Sequence, residues 1–219
     1  METTEHVLLI MNCEKYAHKA ETQKNTWLRN MTTIPYFHVI GESDLHQPYE
    51  FQYDKKRLVI HVDDDYNSLP KKVIRAYAAI RVHFPNVKYV LKTDDDQMLQ
   101  TPHTNMFFES IVGMLTRNEI QHEKIHYAGN IVKVPQPYLS QYHRIHAELP
   151  THLPILKTSY CNGRFYILSA DAIDDLLEKK HSIETEYLED YAIGYHLSNA
   201  MKTSIKHLAS DVYFKDMSD

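Results

Sequence analysis

The 219-residue sequence lacks long apolar runs and is poor in cysteine and glycine. Its longest uncharged apolar run near the amino terminus, residues 7–11, is far shorter than the roughly 20 residues needed to cross a bilayer. The two cysteines, Cys13 and Cys161, cannot build a disulfide framework and lack the spacing of a zinc site. We therefore expect a globular chain with no membrane-spanning segment and with a core large enough to stabilise it.

The chain also lacks a cluster of basic residues. Its formal charge is −5, and its 24 lysines and arginines are interleaved with 29 acidic residues rather than gathered into one stripe. A nucleic-acid partner is therefore not expected. The 43% hydrophobic content, with only five glycines and nine prolines, also argues against a disordered or collagen-like chain.

Strand-like and helix-like segments alternate along the chain, which is the pattern of a mostly parallel sheet covered by helices. Strands are predicted at residues 6–11, 36–40, 58–62, 87–92 and 165–168, with a strand pair around 126–134. Helices are predicted at residues 15–29, 69–84, 104–117, 171–180 and 190–200. The loop at residues 135–154 is long for a compact domain, which is typical of a binding loop. Without a repeat or a linker, residues 1–219 are predicted to form one α/β domain.

Three adjacent aspartates, Asp94, Asp95 and Asp96, follow the predicted central strand. Ligands of open α/β sheets collect outside the carboxyl ends of the strands. Neighbouring carboxylates repel unless a cation offsets the repulsion, and Mg²⁺ and Mn²⁺ prefer oxygen ligands. The triplet therefore predicts a metal and diphosphate site, although the residues alone leave open an acidic turn that caps the next element. For a second acidic run, residues 63–65, capping of the following helix is the better interpretation.

Five sequence blocks extend this pattern. They are residues 7–10 with Lys24, Thr26 and Trp27, then residues 66–72, 89–96, 160–169 and 189–194. In this order, they resemble the β1,3-galactosyltransferase family of inverting enzymes, over roughly residues 6–200. The resemblance implies a GT-A type fold, with a Rossmann-like, mostly parallel central sheet flanked by helices. It also implies transfer of galactose or N-acetylglucosamine from a UDP-sugar to a glycan or glycoprotein acceptor.

The same resemblance assigns roles at the donor site. Asp96 is expected to be the principal ligand of a Mn²⁺ or Mg²⁺ ion, with Asp94 and Asp95 completing contacts to ribose, metal or water. Lys72, and Lys24 in place of the family's arginine, are expected to add positive charge near the nucleotide or diphosphate. Family members extend further and offer a histidine as an additional metal ligand. His207 and His196 are the candidates to substitute for it here, and His207 is the one assigned to the metal.

The resemblance also nominates Asp190 as the base that an inverting transferase requires. From the residues alone, Asp190 is equally an acid that stabilises the first turn of the last helix, and that helix is expected to keep it ionised. Gly163 is expected to let the backbone pass close to donor or acceptor. Arg164 and Phe165 stand where the family has glycines, which leaves the donor and acceptor open. Trp27 is expected to pack a helix onto the sheet.

Two other functions stay open at this point. A metal-dependent phosphohydrolase or nucleotidyltransferase also uses clustered aspartates at a strand end, but it leaves the other blocks unexplained. A catalytically silent relative that binds carbohydrate or a partner is compatible with the altered glycine block. The amino terminus lacks the basic-then-apolar order of a secretory signal. We expect a cytoplasmic protein if Met1 is the natural start, and the Golgi lumen if the chain is an excised catalytic core.

Overall fold

The computed structural model describes residues 4–100, 104–203 and 205–217. Its strands are β1 (His6–Met11), β2 (Tyr36–Gly41), β3 (Tyr49–Gln52), β4 (Arg57–Ile60), β5 (Tyr89–Asp94), β6 (Gln97–Leu99), β7 (Tyr127–Val134), β8 (Tyr138–Leu139), β9 (Pro154–Ile155), β10 (Thr158–Ser169), β11 (Lys206–His207) and β12 (Phe214–Asp216). Its α-helices are α1 (Ala17–Asn25), α2 (Leu69–His83), α3 (Thr104–Ile120), α4 (Ala170–Leu177), α5 (Lys180–Ile183), α6 (Glu189–His196), α7 (Asn199–Lys202) and α8 (Ser210–Tyr213). Single 3₁₀ turns occur at Glu14–Tyr16 and Tyr142–Arg144.

The central sheet has the strand order β11-β7-β10-β5-β1-β2-β4-β3. Strands β5, β1, β2 and β4 are parallel neighbours. Strand β10 runs antiparallel between β5 and β7, and β3 is antiparallel at the far edge. The predicted α/β architecture with a mostly parallel sheet is therefore confirmed, and the carboxyl ends of its four central parallel strands meet at one edge.

Alternation along the strands divides the core between the two faces of the sheet. On β1, Val7 and Leu9 face the cluster that includes helix α2, whereas Leu8 and Ile10 face the cluster that includes Trp27 and Phe108. Trp27 is buried between Phe108 and Phe214, so its predicted packing role is confirmed. Strands with both faces covered read as continuous apolar runs, and this made β1 and β5 recognisable from sequence.

Several element boundaries differ from the predictions. Helix α1 ends at Asn25 rather than at residue 29, and residues 126–134 contribute the single strand β7 instead of a strand pair. Strand β10 is much longer than predicted, because residues 158–161 continue the pairing with β7 across an irregular register. The last predicted helix is broken after α6, since Leu197 adopts an extended conformation.

After β11, which lies at one edge of the central sheet, the chain returns to pair with β6, which the sequence did not indicate. Strand β12 pairs with β6, placing Asp216 opposite Gln97, and the N–H of Met217 donates to the carbonyl of Asp96 at 2.6 Å. Phe214 is fully buried and stacks on Phe165 with ring centroids 4.9 Å apart. Within the described ranges, the helices are too short or too polar to cross a bilayer.

Candidate active site

The aspartate triplet lies at the carboxyl edge of the sheet. Asp94 is the last residue of β5 and is paired in register with Met11, the last residue of β1. The N–H of Asp95 donates to the carbonyl of Met11 at 3.0 Å, so the chain turns across the end of β1 before β6 begins. The position predicted from the alternation of elements is confirmed, and it is where α/β sheets bind ligands.

A buried pair of side chains beneath the triplet supports this turn. Gln23 of α1 donates from Nε2 to the carbonyls of Asp94, at 3.2 Å, and Gln97, at 2.9 Å. Because its amide nitrogen is a donor in both contacts, its Oε1 accepts from His38 Nε2, 2.9 Å away. Burial lowers the pKa of His38 to about 3, so the imidazole is neutral at physiological pH. His38 and Gln23 thus brace the backbone on either side of Asp95 and Asp96.

Lys92 is the hub of the charged groups. Its Nζ lies 2.7 Å from Asp94 Oδ1, 2.8 Å from Glu189 Oε2 and 3.0 Å from the carbonyl of Gly163. Burial by itself would lower the pKa of Lys92, but the charges of Asp94 and Glu189 outweigh burial and raise it. Lys92 is therefore a buried cation shared between two carboxylates that come from different elements.

Glu189 is held on its other side by tyrosines. Its Oε1 accepts from the hydroxyl of Tyr166, and that hydroxyl lies 2.7 Å from the hydroxyl of Tyr77. All three side chains are buried. Burial raises the pKa of Glu189, although Lys92 opposes the rise. A buried charge is tolerated only when it is paired and hydrogen-bonded, and this network supplies both.

Asp190 is the adjacent carboxylate and lies at the start of α6. Its Oδ2 accepts the N–H of Gly163 at 3.0 Å, and its Oδ1 accepts the N–H of Tyr191 at 2.7 Å. Burial raises its pKa despite Lys92 and these two N–H groups. The helix start therefore does not hold this carboxyl at low pKa as the sequence suggested. A raised pKa brings a carboxylate closer to the value that suits a general base.

Gly163 connects the two acidic sites. A Cβ at this position would lie 3.1 Å from Asp94 Oδ2 and 3.3 Å from Lys92 Nζ. A larger residue would therefore crowd the hub, because the backbone at Gly163 passes close to Lys92 and Asp94. The predicted approach of this backbone to donor or acceptor stays a prediction. Through Gly163 and Lys92, Asp94 at the end of β5 is linked to Asp190 at the start of α6.

The electrostatics of the triplet fit a divalent cation. Burial raises the pKa of Asp95 to about 7, and the charges of Asp94 and Asp96 add to the rise. Burial also raises the pKa of Asp94, to about 6. Over the described parts of the chain, no three His, Cys, Asp or Glu side chains are arranged to hold a metal by themselves. Magnesium commonly uses one or two carboxylates together with substrate phosphates, a requirement that Asp95 and Asp96 can meet.

Comparison with known proteins identifies the family to which this chain belongs. The sequence profile described as Galactosyltransferase matches residues 20–209. The chain belongs to the galactosyltransferase family. This family member is 26% identical over 148 residues to the UDP-GalNAc:beta-1,3-N-acetylgalactosaminyltransferase 1 of Rattus norvegicus and to that of Homo sapiens. In both cases the match covers 68% of this chain and 41% of the relative, so the chain spans less than half the length of these curated relatives.

A solved structure agrees with the fold of this galactosyltransferase-family chain. It is a glycosyltransferase involved in the glycosylation of the major capsid of PBCV-1, with a TM-score of 0.52 and 11% sequence identity. The alignment covers 93% of this chain and 81% of the other. At this identity, the likeness concerns the fold. The family resemblance read from the five sequence blocks is confirmed by the profile match over residues 20–209.

The two predicted donor-site lysines of this family member are engaged elsewhere. Lys72 is buried, and its Nζ lies 2.6 Å from Asp64 Oδ1 and donates to the carbonyl of Asn12 at 2.7 Å. The charge of Lys72 nevertheless reaches Asp95 and lowers its pKa, against the larger effect of burial. Lys24 pairs with Glu21 of the same helix at 2.8 Å. The structure therefore brings Lys72 near the triplet and leaves Lys24 paired on α1.

The second acidic run has two roles rather than one. Asp65 accepts the N–H of Ser68 at 2.8 Å, so it stabilises the turn that leads into α2; the helix itself has no side-chain cap and no acid in its first turn, unlike the capping interpretation. Asp64 instead joins three segments, because it accepts from Lys72, from the N–H of Gly41 and from the N–H of Glu14. Its position after β4 at the carboxyl edge places it in a buried ion pair that the sequence interpretation missed.

His207 is not brought to the aspartates, which corrects the expectation of a third metal ligand. It lies exposed on β11 beside Gly129 of β7. Strands β7 and β10 separate β11 from β5, a distance of about 14 Å at the usual strand spacing. His196 is also engaged elsewhere, with Nε2 2.8 Å from Glu186 Oε1. The set Asp94, Asp96 and His207 is therefore not assembled, because β11 joins the opposite side of the sheet.

The two residues that replace family glycines hold the returning carboxyl-terminal segment. Arg164 donates to the carbonyl of Phe214 at 2.9 Å and to Asp216 Oδ1 at 2.9 Å. Phe165 is buried and stacks on Phe214. Gln97 then links Asp216 to Asp96, donating to both carboxylates at 2.9 and 2.8 Å. These larger side chains fasten β12 beside the triplet.

Four residues of the site were not singled out from the sequence: Lys92, Glu189, Gln23 and His38. A signal for Lys92 was available, because it is the one charged residue before Asp94 in a strand whose other residues are typical of burial. A buried lysine requires a partner, and the acidic pair at residues 189–190 was the natural candidate. The roles of Gln23 and His38 depend on packing between α1 and β2 and have no local signature.

Proposed function

We propose that this chain transfers a sugar from a UDP-sugar donor to a hydroxyl of a glycan or glycoprotein acceptor, with inversion at the anomeric carbon. The observation that supports the proposal best is the linkage of Asp94 to Asp190 through Lys92 and Gly163. Asp94 lies at the carboxyl edge of the sheet, proposed as the donor side, and Asp190 is half-buried at the start of α6, proposed as the acceptor side. A transferase requires both kinds of site within one cleft.

In the proposed reaction, Asp190 is the general base. Its carboxylate accepts the proton of the acceptor hydroxyl while that oxygen attacks the anomeric carbon from the side opposite the diphosphate. A carbon–oxygen bond forms to the acceptor, the bond to the β-phosphate oxygen breaks, and UDP leaves with the electron pair. The N–H groups of Gly163 and Tyr191 orient the carboxylate, and the raised pKa of Asp190 favours proton uptake.

The donor side is proposed to depend on a divalent ion. Asp96 and Asp95 would hold Mn²⁺ or Mg²⁺ together with the diphosphate, while Asp94 is engaged with Lys92. When bound, such an ion stabilises negative charge on the departing UDP as a Lewis acid. His38 and Gln23 keep the two aspartates at the edge of the sheet, and Lys72 adds a positive charge behind Asp95.

The sugar and the linkage are part of the proposal. The family name indicates galactose, and the sequence blocks also suggested N-acetylglucosamine. The curated relatives from rat and human are named for transfer of N-acetylgalactosamine in β1,3 linkage. We propose a β1,3 linkage and one of these three hexoses. Galactose is the first choice, because the matched profile carries its name.

A donor screen combined with one substitution tests the function. The chain is incubated with UDP-galactose, UDP-N-acetylgalactosamine or UDP-N-acetylglucosamine, Mn²⁺ and a panel of aryl glycosides, and the products are identified by mass spectrometry. Asp190→Asn should lower kcat by about 10²–10⁴-fold and leave UDP affinity unchanged. Asp54→Asn is the matched control, because Asp54 is exposed in the turn between β3 and β4 at the opposite edge of the sheet.

The same experiment separates the competing functions. A phosphohydrolase would release UDP or phosphate without forming a glycoside. A silent binding protein would bind a UDP-sugar or glycan with no turnover for Asp190→Asn to remove. Transfer that persists at the wild-type rate in Asp190→Asn would exclude this residue as the base.

A further inference from the structure

Tyrosines from three separate segments gather beside Asp190. They are Tyr66, which precedes α2, Tyr142 in the long loop at residues 135–154, and Tyr160 on β10; we name these three the tyrosine wall. Burial raises the pKa of each, and in all three cases the charge of Asp190 is the next largest cause. Tyr66 and Tyr160 also pack against the small apolar cluster that contains Leu188 and Tyr191, on either side of Asp190 in the sequence, so they lie beside the start of α6 although they are far apart in the chain.

Packing of the long loop builds the wall. Tyr66 stacks on His146 of the loop, with ring centroids 4.1 Å apart and planes 12° from parallel. Next to this stack, Asn67 donates from Nδ2 to the carbonyl of Glu148 at 3.3 Å. These contacts hold the loop against the start of α2. Below them lies a small apolar cluster whose buried members are Val134, Leu149, Ile155, Leu188 and Tyr191.

The other end of the wall rests on α6, the helix that carries Asp190. Tyr160 contacts Tyr191 edge to face, with ring centroids 6.0 Å apart. Gly194, one turn further along α6, allows this approach, because a Cβ there would overlap the Cβ of Tyr160. The position of Tyr160 relative to the base is therefore set by the packing of one helix against one strand.

The chemistry of the wall suits a pyranose ring. Tyr142 is 48% exposed and its neighbour Tyr138 is also 48% exposed, so aromatic surface is available to a ligand. A tyrosine ring offers an apolar face for the C–H groups of a sugar and a hydroxyl for its polar rim. Asn162 lies two residues after Tyr160 on β10, and its Oδ1 is buried with no hydrogen-bond partner in the described chain. Sugar hydroxyls are donors that such groups can use.

The position of the tyrosine wall indicates a binding site for the acceptor rather than for the donor. A general base must lie within hydrogen-bond reach of the hydroxyl that it deprotonates. The sugar that carries this hydroxyl would therefore lie next to Asp190, on the side where Tyr66 and Tyr160 pack together with Leu188 and Tyr191. The diphosphate is instead placed at the aspartate triplet across the Lys92 hub.

We propose that Tyr66, Tyr142 and Tyr160 form the acceptor subsite, in which a pyranose ring packs against aromatic faces with its attacking hydroxyl directed at Asp190. This inference rests on the proposed function, since it assigns the acceptor's place in the same cleft. The ligand class is a neutral glycoside with an exposed C–H face.

Binding and transfer are measured separately to test the subsite. Saturation-transfer NMR with UDP and diamagnetic Mg²⁺ present is recorded on methyl β-glycosides of galactose, N-acetylgalactosamine, glucose and N-acetylglucosamine. Tyr142→Ala should weaken binding of the preferred glycoside by about tenfold, while UDP affinity stays unchanged. Tyr142→Phe keeps the ring and should lose only part of this effect. Tyr53→Ala is the matched control, because Tyr53 is 53% exposed and lies at the opposite edge of the sheet.

The outcomes separate this inference from the proposed function. Glycoside binding that is weakened by Tyr142→Ala but is never followed by transfer would refute the transferase activity and leave the subsite in place. Transfer with the same acceptor KM in wild type, Tyr142→Ala and Tyr160→Phe would refute the subsite and leave the activity. If none of the glycosides binds the wild-type chain, or if Tyr53→Ala weakens binding as much as Tyr142→Ala, the wall is not an acceptor site.

Discussion

Lys92 Nζ lies 2.8 Å from Glu189 Oε2, and both side chains are almost completely buried although 97 positions separate them in the sequence. Lys92 belongs to the strand that ends in the aspartate triplet, and Glu189 precedes the proposed base. The ion pair therefore sets the spacing between the proposed donor side and the proposed acceptor side of the site. Tyr166 completes it by donating to the second oxygen of Glu189.

Replacing Lys92 should destabilise the fold strongly. Lys92→Met leaves the buried carboxylate of Glu189 and the partly buried carboxylate of Asp94 without their shared cation, so the free energy of unfolding should fall by about 3–5 kcal/mol, measured by urea denaturation. Lys88→Met is the control, because Lys88 pairs with Glu5 while both are more than two-fifths exposed. That surface pair should contribute about 1 kcal/mol or less. Equal losses in the two variants would show that Lys92 is not the hub of the network.

The stability of the fold should fall in acid because of His38. Its pKa is lowered by burial from 6.5 to about 3, so below 6.5 the unfolded chain takes up a proton that the folded chain does not. This contribution is fully present above pH 6.5 and is lost as the pH falls towards 3, by about 1.4 kcal/mol per pH unit. Between about pH 7 and about pH 5, the free energy of unfolding, measured by urea denaturation, should therefore fall more steeply with falling pH in wild type than in His38→Gln. Parallel pH dependences would contradict the prediction.

The returning carboxyl-terminal segment should be essential to the fold. Phe214 is fully buried against Trp27, Phe107 and Phe165. Phe214→Ala should lower the free energy of unfolding by about 3–5 kcal/mol, from lost burial and the cavity that remains. Tyr213→Ala provides the control, since the neighbouring Tyr213 is 47% exposed and should cost far less. The measurement is thermal or urea unfolding, and a small loss in Phe214→Ala would mean that β12 docks only weakly.

Binding of UDP should require a divalent ion held by the triplet. Removing Mn²⁺ with a chelator, or substituting Asp96→Asn with Mn²⁺ present, should weaken UDP binding at least about tenfold, or about 1.4 kcal/mol, in calorimetry. The physical reason is that Asp95 and Asp96 repel the diphosphate unless a cation lies between them. Asp54→Asn should bind UDP like wild type. An unchanged affinity for UDP after chelation would contradict the proposed requirement for a divalent ion.

Local patterns in the sequence were sufficient to predict the main strands and helices of the fold. Residues 6–11 and 87–92 read as buried strands because sheets covered on both faces need apolar residues on both sides. Helix α2 was predicted within one residue from its apolar spacing and its flanking prolines, Pro70 and Pro85. The edge position of Asp94 then followed from the alternation of strands and helices.

The partners of each charged residue were not predictable in the same way. Lys72 and Lys24 both looked suited to a diphosphate, yet each has a carboxylate partner 2.6 or 2.8 Å away. A long charged side chain pairs with an opposite charge that tertiary packing brings within its reach, and the local sequence does not show which one this is. The choice of Lys72 for Asp64 depends on the angle between α2 and the end of β4.

By itself, the sequence determined the α/β fold, the family, and the edge of the sheet where Asp94, Asp95 and Asp96 lie, because these depend on short-range periodicity and on the order of motifs. Only the tertiary structure decided that Lys92 pairs with Glu189, that His207 lies about 14 Å across the sheet from β5, and that β12 returns to Gln97. Those contacts join residues far apart in the chain, and they follow from strand order and register, which no local pattern encodes.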